Sequence, residues 1–398
     1  MRVGEANWAG NHSYGADAVT SPRTVGEVQE AVAAATHVKA LGSRHCFNDI
    51  ADSPGGLLLD LRALDAGVEI GDGTVTVGGS ARYGDFAQQL HAAGFALPNL
   101  ASLPHITVAG SVATGTHGSG RRQPGLAAAV SGIELVTADG SLRSFTRADA
   151  EFPGLVVGLG AFGVVTRLTL DVVPAFDVRQ DVFDDLPWEA AYRHFDEIED
   201  AGYSVSLFTN WANDRIDQVW VKSRAVTERT GLFSAVPADN CTPQQGVPGP
   251  WHERLPHFAL AFTPSVGDEL QSEYFVPYEH AVAAIRAVRE IGDLVAPLLL
   301  VSEIRAIAGD DLWLSPCHGG DRVALHFTWQ PRQPEVEAVL PVLEERLASF
   351  GARPHWGKLF HGVPGEYPRL AGFRALAERL DPQGKFRNPF LNRNVFGG

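Results

Sequence analysis

The sequence predicts an α+β protein of two domains. Its 398 residues exceed the length at which one hydrophobic core usually stops growing, so two cores are expected. The first part of the chain alternates helical and strand patterns, whereas the middle holds strands whose polar residues recur at every second position. We expect a first domain over residues 1–175, a second over residues 176–352, and a C-terminal segment, residues 353–398, that returns to the first domain.

Composition and charge exclude several classes of partner. With 32 basic against 47 acidic residues the net charge is −15, which disfavours nucleic acid and anionic membranes because like charges repel. No apolar run approaches the roughly 20 residues that span a bilayer, and no export signal is visible, so a cytoplasmic monomer is expected. Cys46, Cys241 and Cys317 are odd in number and lack metal-site spacing, so neither a disulfide framework nor a zinc site is predicted.

The first domain opens with a helix that leads to a strand and a glycine turn. A capping-box pattern at Thr24 precedes apolar residues on one helical face, residues 25–35. The strand Val38–Leu41 then leads into GSRHCFN, Gly42–Asn48, with His45 at its centre. One histidine in a glycine turn is usually a hydrogen-bonded loop residue, so this turn needs support from the rest of the chain.

Further strands are predicted along the first domain. Leu57–Leu61 and Thr74–Val77 read as strands, and a helix follows around Phe86. Ile133–Val136 and Leu142–Phe145 predict a hairpin, because a turn sequence, Ala-Asp-Gly, lies between them.

The segment Ala96–Gly120 has an unusual composition. It is too rich in Gly, Ser, Thr and Pro for a regular element, yet too apolar for a solvated linker. Glycines allow close approach to a ligand, while hydroxyl groups and a histidine offer donors to phosphate or ring oxygens. Because the chain has neither a GxGxxG fingerprint after a first strand nor a GxxxxGK loop, a Rossmann or P-loop site is disfavoured.

The second domain contains strands with one polar and one apolar face. Polar residues share one side in three stretches: Gln271 and Glu273 in ELQSEYF, Glu303 and Arg305 in SEIRAI, and His326 and Thr328 in ALHFTW. If these strands are neighbours in one antiparallel sheet, their polar faces form a wall of hydrogen-bonding groups. Helices over residues 282–288 and 336–347 are expected to cover the opposite side.

Taken together, GSRHCFN, ASLPHITVAGSVATGTHGSG, ELVTADG and GLGAFGVVTRLTL resemble the FAD-binding domain of the vanillyl-alcohol-oxidase-type flavoproteins. NCTPQQGVPGPWHERLPHF, LQSEYF, SEIR, HFTW, RPHWGK and DPQGKF extend the similarity over nearly the whole chain, to the bacterial alditol oxidases that act on xylitol and sorbitol. The resemblance implies that the N-terminal part and the C-terminal tail bind FAD, while an antiparallel-sheet cap domain binds the substrate.

The resemblance also implies roles for individual residues. It places a covalent bond to FAD on His45, and Cys46 stands where the family motif has a serine. The other residues implied near the cofactor are Ala40, Leu41, Gly42, Ser43, Arg44, Cys46, Ser102, Ser111, Thr114, Gly115, His117, Gly118, Ser119, Val165 and His355. Those implied for substrate binding are Ser102, Gln271, Glu303, Arg305, Thr328 and Lys358, and those for catalysis are Arg305, Lys358, Glu303 and His326.

The hypothesis is FAD-dependent oxidation of the terminal alcohol of an alditol to an aldose, with oxygen reduced to hydrogen peroxide. Cations such as Arg305 and Lys358 favour alkoxide character, and hydrogen-bonding groups select a chain of hydroxyls. Glu303 and Arg305 are also consistent with an ordinary cross-strand ion pair. An aldonolactone oxidase, a flavin dehydrogenase with another electron acceptor, and a non-catalytic flavin- and sugar-binding protein are the alternatives. No GxSxG or HExxH motif indicates nucleophilic or metal chemistry.

Overall fold

The computed structural model describes residues 6–224, 234–235, 242–243, 246–260, 267–363 and 365–397. Cys241 and part of the stretch NCTPQQG lie outside these residues. In the part that is described, no helix has both the length and the apolar character needed to cross a bilayer.

The first part of the chain builds small sheets with short helices between them. Its strands are β1 (Ala18–Thr20), β2 (Val38–Leu41), β3 (Leu57–Asp60), β4 (Val68–Ile70), β5 (Thr74–Gly78), β6 (Phe95–Ala96), β7 (Gly120–Pro124), β8 (Val130–Val136), β9 (Leu142–Thr146), β10 (Val164–Asp171) and β11 (Val173–Pro174). Its helices are α1 (Val25–Ala34), α2 (Tyr83–Ala92), α3 (Val108–Ala113) and α4 (Phe152–Val156). A parallel sheet has the order β1-β3-β2, an antiparallel sheet has the order β4-β5-β10-β8-β9, and β11 pairs with β6.

The local predictions for the first helix and the hairpin are confirmed. Thr24 caps α1, because its hydroxyl accepts the Glu27 N–H at 3.2 Å. The Glu27 carboxylate accepts from the Arg23 N–H at 2.7 Å, one residue earlier than the capping box places it. The hairpin is formed by β8 and β9, with Gly140 at φ 79° in its turn.

The expectation of no regular element in Ala96–Gly120 is wrong. Helix α3 lies inside this segment, and β6 and β7 meet its two ends. Val108 and Val112 of α3 are buried in an apolar cluster that also contains Phe86 and Leu155, so tertiary packing outweighs the weak helix propensity of the glycine and serine residues.

The rest of the chain is organised around one large sheet. Its strands are β12 (Asp177–Pro187), β13 (Ser204–Thr209), β14 (Arg215–Ser223), β15 (Ser234–Ala235), β16 (Gly249–Pro250), β17 (Leu270–Pro277), β18 (Leu299–Ala308), β19 (Arg322–Trp329) and β20 (Arg353–Pro354). Its helices are α5 (Trp188–Arg193), α6 (Phe195–Glu199), α7 (Trp251–Arg254), α8 (Ala281–Arg289), α9 (Gly292–Val295), α10 (Gln333–Ala348), α11 (Leu370–Leu380) and α12 (Pro389–Leu391), which a π-helical turn, Asn392–Phe396, follows. The sheet has the order β15-β12-β14-β13-β18-β19-β17-β20, with β7 of the first part paired to β18.

The three polar-faced strands are neighbours in one antiparallel sheet, which is the condition under which their polar faces form a wall. In the antiparallel register Glu273 lies opposite His326, and His326 lies opposite Glu303 on the next strand. The other face of these strands packs against α8 and α10 in one apolar cluster, which confirms the predicted covering helices. One face of the sheet is therefore left to form a polar wall.

The C-terminal tail contacts the N-terminal part of the chain. The Lys385 carbonyl accepts the Val38 N–H at 3.0 Å, so the tail contacts the first residue of β2. The Asn388 side-chain amide donates to the carbonyls of Asp49, Ile50 and Asp52 at 3.1, 3.1 and 2.8 Å. Strand β20 still pairs with β17, so the chain leaves the large sheet after residue 354.

Candidate active site

A cavity of about 370 Å³ lies between the first domain and the polar face of the large sheet. Most of the predicted site residues line it. They are Ala40, Leu41, Gly42, Ser43, Arg44, His45, Cys46, Ser102, Ser111, Thr114, His117, Val165, Gln271, Glu303, Arg305, His326, Thr328, His355 and Lys358. The residues up to Val165 lie on β2, α3 and β10 and on the loops after β2, β6 and α3. The residues from Gln271 onward lie on β17, β18, β19 and the loop after β20.

Three residues predicted near the cofactor do not line this cavity. Gly115 has φ 69° and lies against Pro316, and the Ser119 hydroxyl is hydrogen-bonded to Ser204. Gly118 acts through its backbone, because its carbonyl accepts a hydrogen bond from Nδ1 of His117 at 2.7 Å. The sequence motif spans both sides of the loop, and only part of it faces the cavity.

The walls at the first-domain end suit a large cofactor with both apolar and polar parts. Nδ1 of His45 and Oγ1 of Thr107 are buried and have no hydrogen-bond partner among the described residues, although both residues line the cavity. Lys39 lines it as well, and its ammonium donates to the carbonyls of Leu159 and Gly160 at 3.3 and 3.1 Å. Burial lowers the pKa of Lys39 to about 7, although the charge of Asp381 opposes this shift. These groups fit a flavin dinucleotide.

Glu273 is the centre of the polar face. Its carboxylate accepts from Arg305 Nη2 at 2.7 Å and from Lys358 Nζ at 2.7 Å, and it lies 3.1 Å from His117 Nε2. The side chain is completely buried. Burial alone would raise the pKa of Glu273, but Lys358, His117 and Arg305 together hold it well below its ordinary value. The carboxylate is therefore ionised and fixes both cations.

A second buried carboxylate, Glu303, lies beside Arg305. Its Oε2 is 3.5 Å from Arg305 Nε, and its Oε1 is 2.7 Å from His257 Nε2. The ammonium of Lys222 lies 3.2 Å from His257 Nδ1 and 3.2 Å from the Pro256 carbonyl. Because an ammonium only donates, His257 accepts at Nδ1 and donates from Nε2 to Glu303. Burial lowers the pKa of His257 to about 4, which keeps the imidazole neutral.

Lys358 also orders the pair His326 and Thr328. Lys358 Nζ lies 2.8 Å from His326 Nδ1, and His326 Nε2 lies 3.0 Å from the Thr328 hydroxyl. Burial and then the charge of Lys358 hold the pKa of His326 well below its ordinary value, so the ring is neutral. With Nδ1 accepting from the ammonium, Nε2 carries the hydrogen and donates to Thr328. The Thr328 hydroxyl hydrogen is then available to a ligand.

Several cavity residues were missed by the sequence analysis. Glu273 lies on the predicted polar face, but its sequence pattern is the same as that of Gln271 and predicts no separate role for it. His257 comes from the irregular stretch after α7, where no periodicity marks it. Trp8 lines the cavity from the N-terminal loop, and Lys39 has the apolar neighbours of an ordinary strand residue. In the sequence, the signal that could have identified Lys39 is a charged residue inside an apolar strand, where burial of a charge is unfavourable.

The fold and the cavity define a flavin-dependent oxidoreductase. An FAD binding domain family model matches residues 16–146, and a D-arabinono-1,4-lactone oxidase family model matches residues 267–394. Cholesterol oxidase from B. sterolicum shares the fold with a TM-score of 0.82 at 16% identity, covering 99% of this chain and 97% of that chain. The predicted α+β fold of the vanillyl-alcohol-oxidase type is confirmed.

The particular family follows from the sequence comparison. The chain is 51% identical to an alditol oxidase of a Streptomyces species, with 100% of both chains covered. It is 28% identical to an L-gulono-1,4-lactone dehydrogenase of Mycobacterium tuberculosis, with 98% of each covered. The chain belongs to the alditol oxidase family.

Proposed function

We propose that the protein oxidises the terminal primary alcohol of an alditol, such as xylitol or sorbitol, to the aldose, with dioxygen as the electron acceptor. The observation that carries this proposal is the polar wall, where Arg305, Lys358, Glu273 and Glu303 meet in one buried cluster facing the cavity. The identity of 51% to an alditol oxidase over the full length of the chain supports the same reaction.

When bound, FAD supplies a two-electron acceptor that takes a hydride from carbon. The chain must hold the carbinol in the cavity and favour loss of its hydroxyl proton. Arg305 and Lys358 provide two positive charges on largely buried side chains, and such charges stabilise developing alkoxide character. Glu303 is the group that orients the hydroxyl or accepts its proton, and the neutral His326 acts through the Thr328 hydroxyl that it orients.

The remaining hydroxyls of the substrate meet donors and acceptors along the wall. Ser102 lies 3.4 Å from Arg305 Nη1, the Thr328 hydroxyl is fixed by His326, and the Gln271 amide donates to Glu269. Two cations and two carboxylates balance in the cluster, which suits an uncharged substrate. Substrates without these hydroxyls would leave buried polar groups unpaired, which lowers their affinity.

A lactone substrate is the second candidate, because the family model over residues 267–394 is that of a lactone oxidase. Xylitol, sorbitol and gulonolactone are offered in parallel, and flavin bleaching without oxygen and peroxide release with oxygen are measured. We expect both signals with the two alditols and weaker ones with gulonolactone. Stronger bleaching by the lactone would reverse the assignment, and bleaching by an alditol without peroxide would indicate a dehydrogenase. If none of the three compounds bleaches the flavin, the protein would be a non-catalytic flavin- and sugar-binding protein.

We further propose that FAD is bonded through a ring nitrogen of His45. In such a bond His45 would lose its ring N–H hydrogen and the 8α-methyl carbon one C–H hydrogen, and dioxygen would take up the two electrons and two protons as one hydrogen peroxide. Burial lowers the pKa of His45 to about 4, so a neutral nitrogen is available for this bond.

Acid precipitation tests the covalent link directly. We expect the yellow colour to stay with the precipitated wild-type protein, and to move into the supernatant for His45→Ala. Wild-type colour in the supernatant would disprove the bond while leaving the cavity and the oxidation reaction in place.

A further inference from the structure

The N-terminal loop, residues 6–13, packs against the turn that carries His45. We propose that this loop is a positioning element for attachment of FAD, in which Trp8 fixes the plane of the His45 imidazole and two asparagines fix the backbone of the turn. The inference rests on the covalent link proposed above and adds the residues that make the link efficient.

Trp8 contacts the ring that would form the bond. Its ring stacks on that of His45, with centroids 4.9 Å apart and planes 20° from parallel. Trp8 also meets Phe47 edge-on, at 6.3 Å between centroids. Because an indole over one face of the imidazole restricts rotation of that side chain, His45 presents its nitrogens in one orientation. Reactions between groups that are held in orientation are faster than those of freely rotating groups.

The same loop takes up the carbonyl groups of the turn. The Trp8 N–H donates to the Arg44 carbonyl at 2.9 Å. The side-chain amide of Asn7 donates to the Cys46 carbonyl at 2.8 Å, and that of Asn11 donates to the Phe47 carbonyl at 2.8 Å. The carbonyls on both sides of His45 are therefore held by one loop.

The turn needs such support because its backbone is strained. Arg44, directly before His45, has φ 61°, in the left-handed region that is unfavourable for a residue with a side chain. Asn48 holds the opposite side of the turn, since its amide donates to the carbonyls of Trp356 and Lys358 at 2.8 and 2.7 Å. Trp8 contacts the ring of His45 itself.

The test measures the rate of attachment. Apoprotein made under riboflavin limitation is mixed with FAD, and samples taken over time are acid-precipitated to separate bonded from released flavin. We expect Trp8→Ala to slow attachment about 2- to 10-fold, the range set by loss of one aromatic pair, while total FAD retained before precipitation is unchanged. Trp8→Phe keeps a stacked ring and is expected to stay within about twofold of wild type. Tyr192→Ala removes an aromatic pair outside the cavity, since Tyr192 stacks on Trp188 with ring centroids 5.7 Å apart, and this matched control should attach FAD at the wild-type rate.

Asn11→Ala gives an independent arm, because it removes a hydrogen bond to the Phe47 carbonyl without emptying the cavity wall. Slower attachment in this variant supports the inference even where Trp8→Ala does not fold. Attachment at the wild-type rate in both Trp8→Ala and Asn11→Ala, with FAD retained, would overturn the positioning role alone. Wild-type flavin that never becomes acid-stable would overturn both this role and the covalent link, whereas anaerobic bleaching would still report the oxidation reaction.

Discussion

Replacing Lys358 by methionine is expected to slow anaerobic reduction of the flavin by an alditol about 10²- to 10³-fold. The variant keeps the length and apolar stem of the side chain but removes the ammonium that Glu273 and His326 hold at 2.7 and 2.8 Å. Loss of one preorganised group that stabilises developing negative charge has an effect of this size in other enzymes. Stopped-flow absorbance of the flavin measures the rate, and the flavin content per chain measures cofactor retention, which should be unchanged.

Arg305→Met is expected to behave in the same way, because its guanidinium bridges Glu273 and the Ser102 hydroxyl. Arg322→Met is the matched control. Arg322 is also buried and lies on the adjacent strand β19, but it does not line the cavity, so its loss should leave the reduction rate within about twofold of wild type. Unchanged reduction in both Lys358→Met and Arg305→Met would remove these cations from the chemistry.

The polar wall was predictable because its signal is local. Alternation of side chains along a strand places His326 and Thr328 on one face whatever the tertiary structure is, and the antiparallel register then aligns Glu273 and Glu303 with them. The turn at His45 was predictable from its own motif together with the other motifs in the chain that resemble the same family. In the turn the informative residues lie within a few positions of one another, and in the wall the informative residues of each strand lie two positions apart.

The contacts between these segments could not be predicted from the local sequence pattern. Glu273 differs from Gln271 because Arg305, Lys358 and His117 converge on it from three separate segments. Helix α3 was missed because burial of its valines decides its conformation, and burial depends on elements distant in sequence. The hydrogen bonds between the N-terminal loop and the His45 turn likewise join residues more than thirty positions apart.

Because Glu273 joins both cations, replacing it should affect stability and pH dependence together. Glu273→Gln is nearly isosteric but leaves Arg305 and Lys358 without their shared charge in a buried site. Breaking a buried ion pair from one side costs about 3–5 kcal/mol, so we expect a lower free energy of unfolding by that amount. Chemical denaturation of the variant and wild type, each with its flavin bound, measures the difference. Glu345→Gln, an exposed residue of α10, makes the same change in net charge and should have little effect.

The pH dependence distinguishes a role of Glu273 in the chemistry from a purely structural one. Burial lowers the pKa of Lys358, and the carboxylate of Glu273 opposes that shift. Removing the carboxylate therefore lowers the pKa of Lys358 further, and the ammonium is lost at a lower pH than in wild type. If the ammonium is required for hydride transfer, the fall in flavin reduction rate on the alkaline side must move to lower pH in Glu273→Gln. A variant that is destabilised but keeps the wild-type alkaline limb would show that Glu273 supports the fold without setting the charge of Lys358.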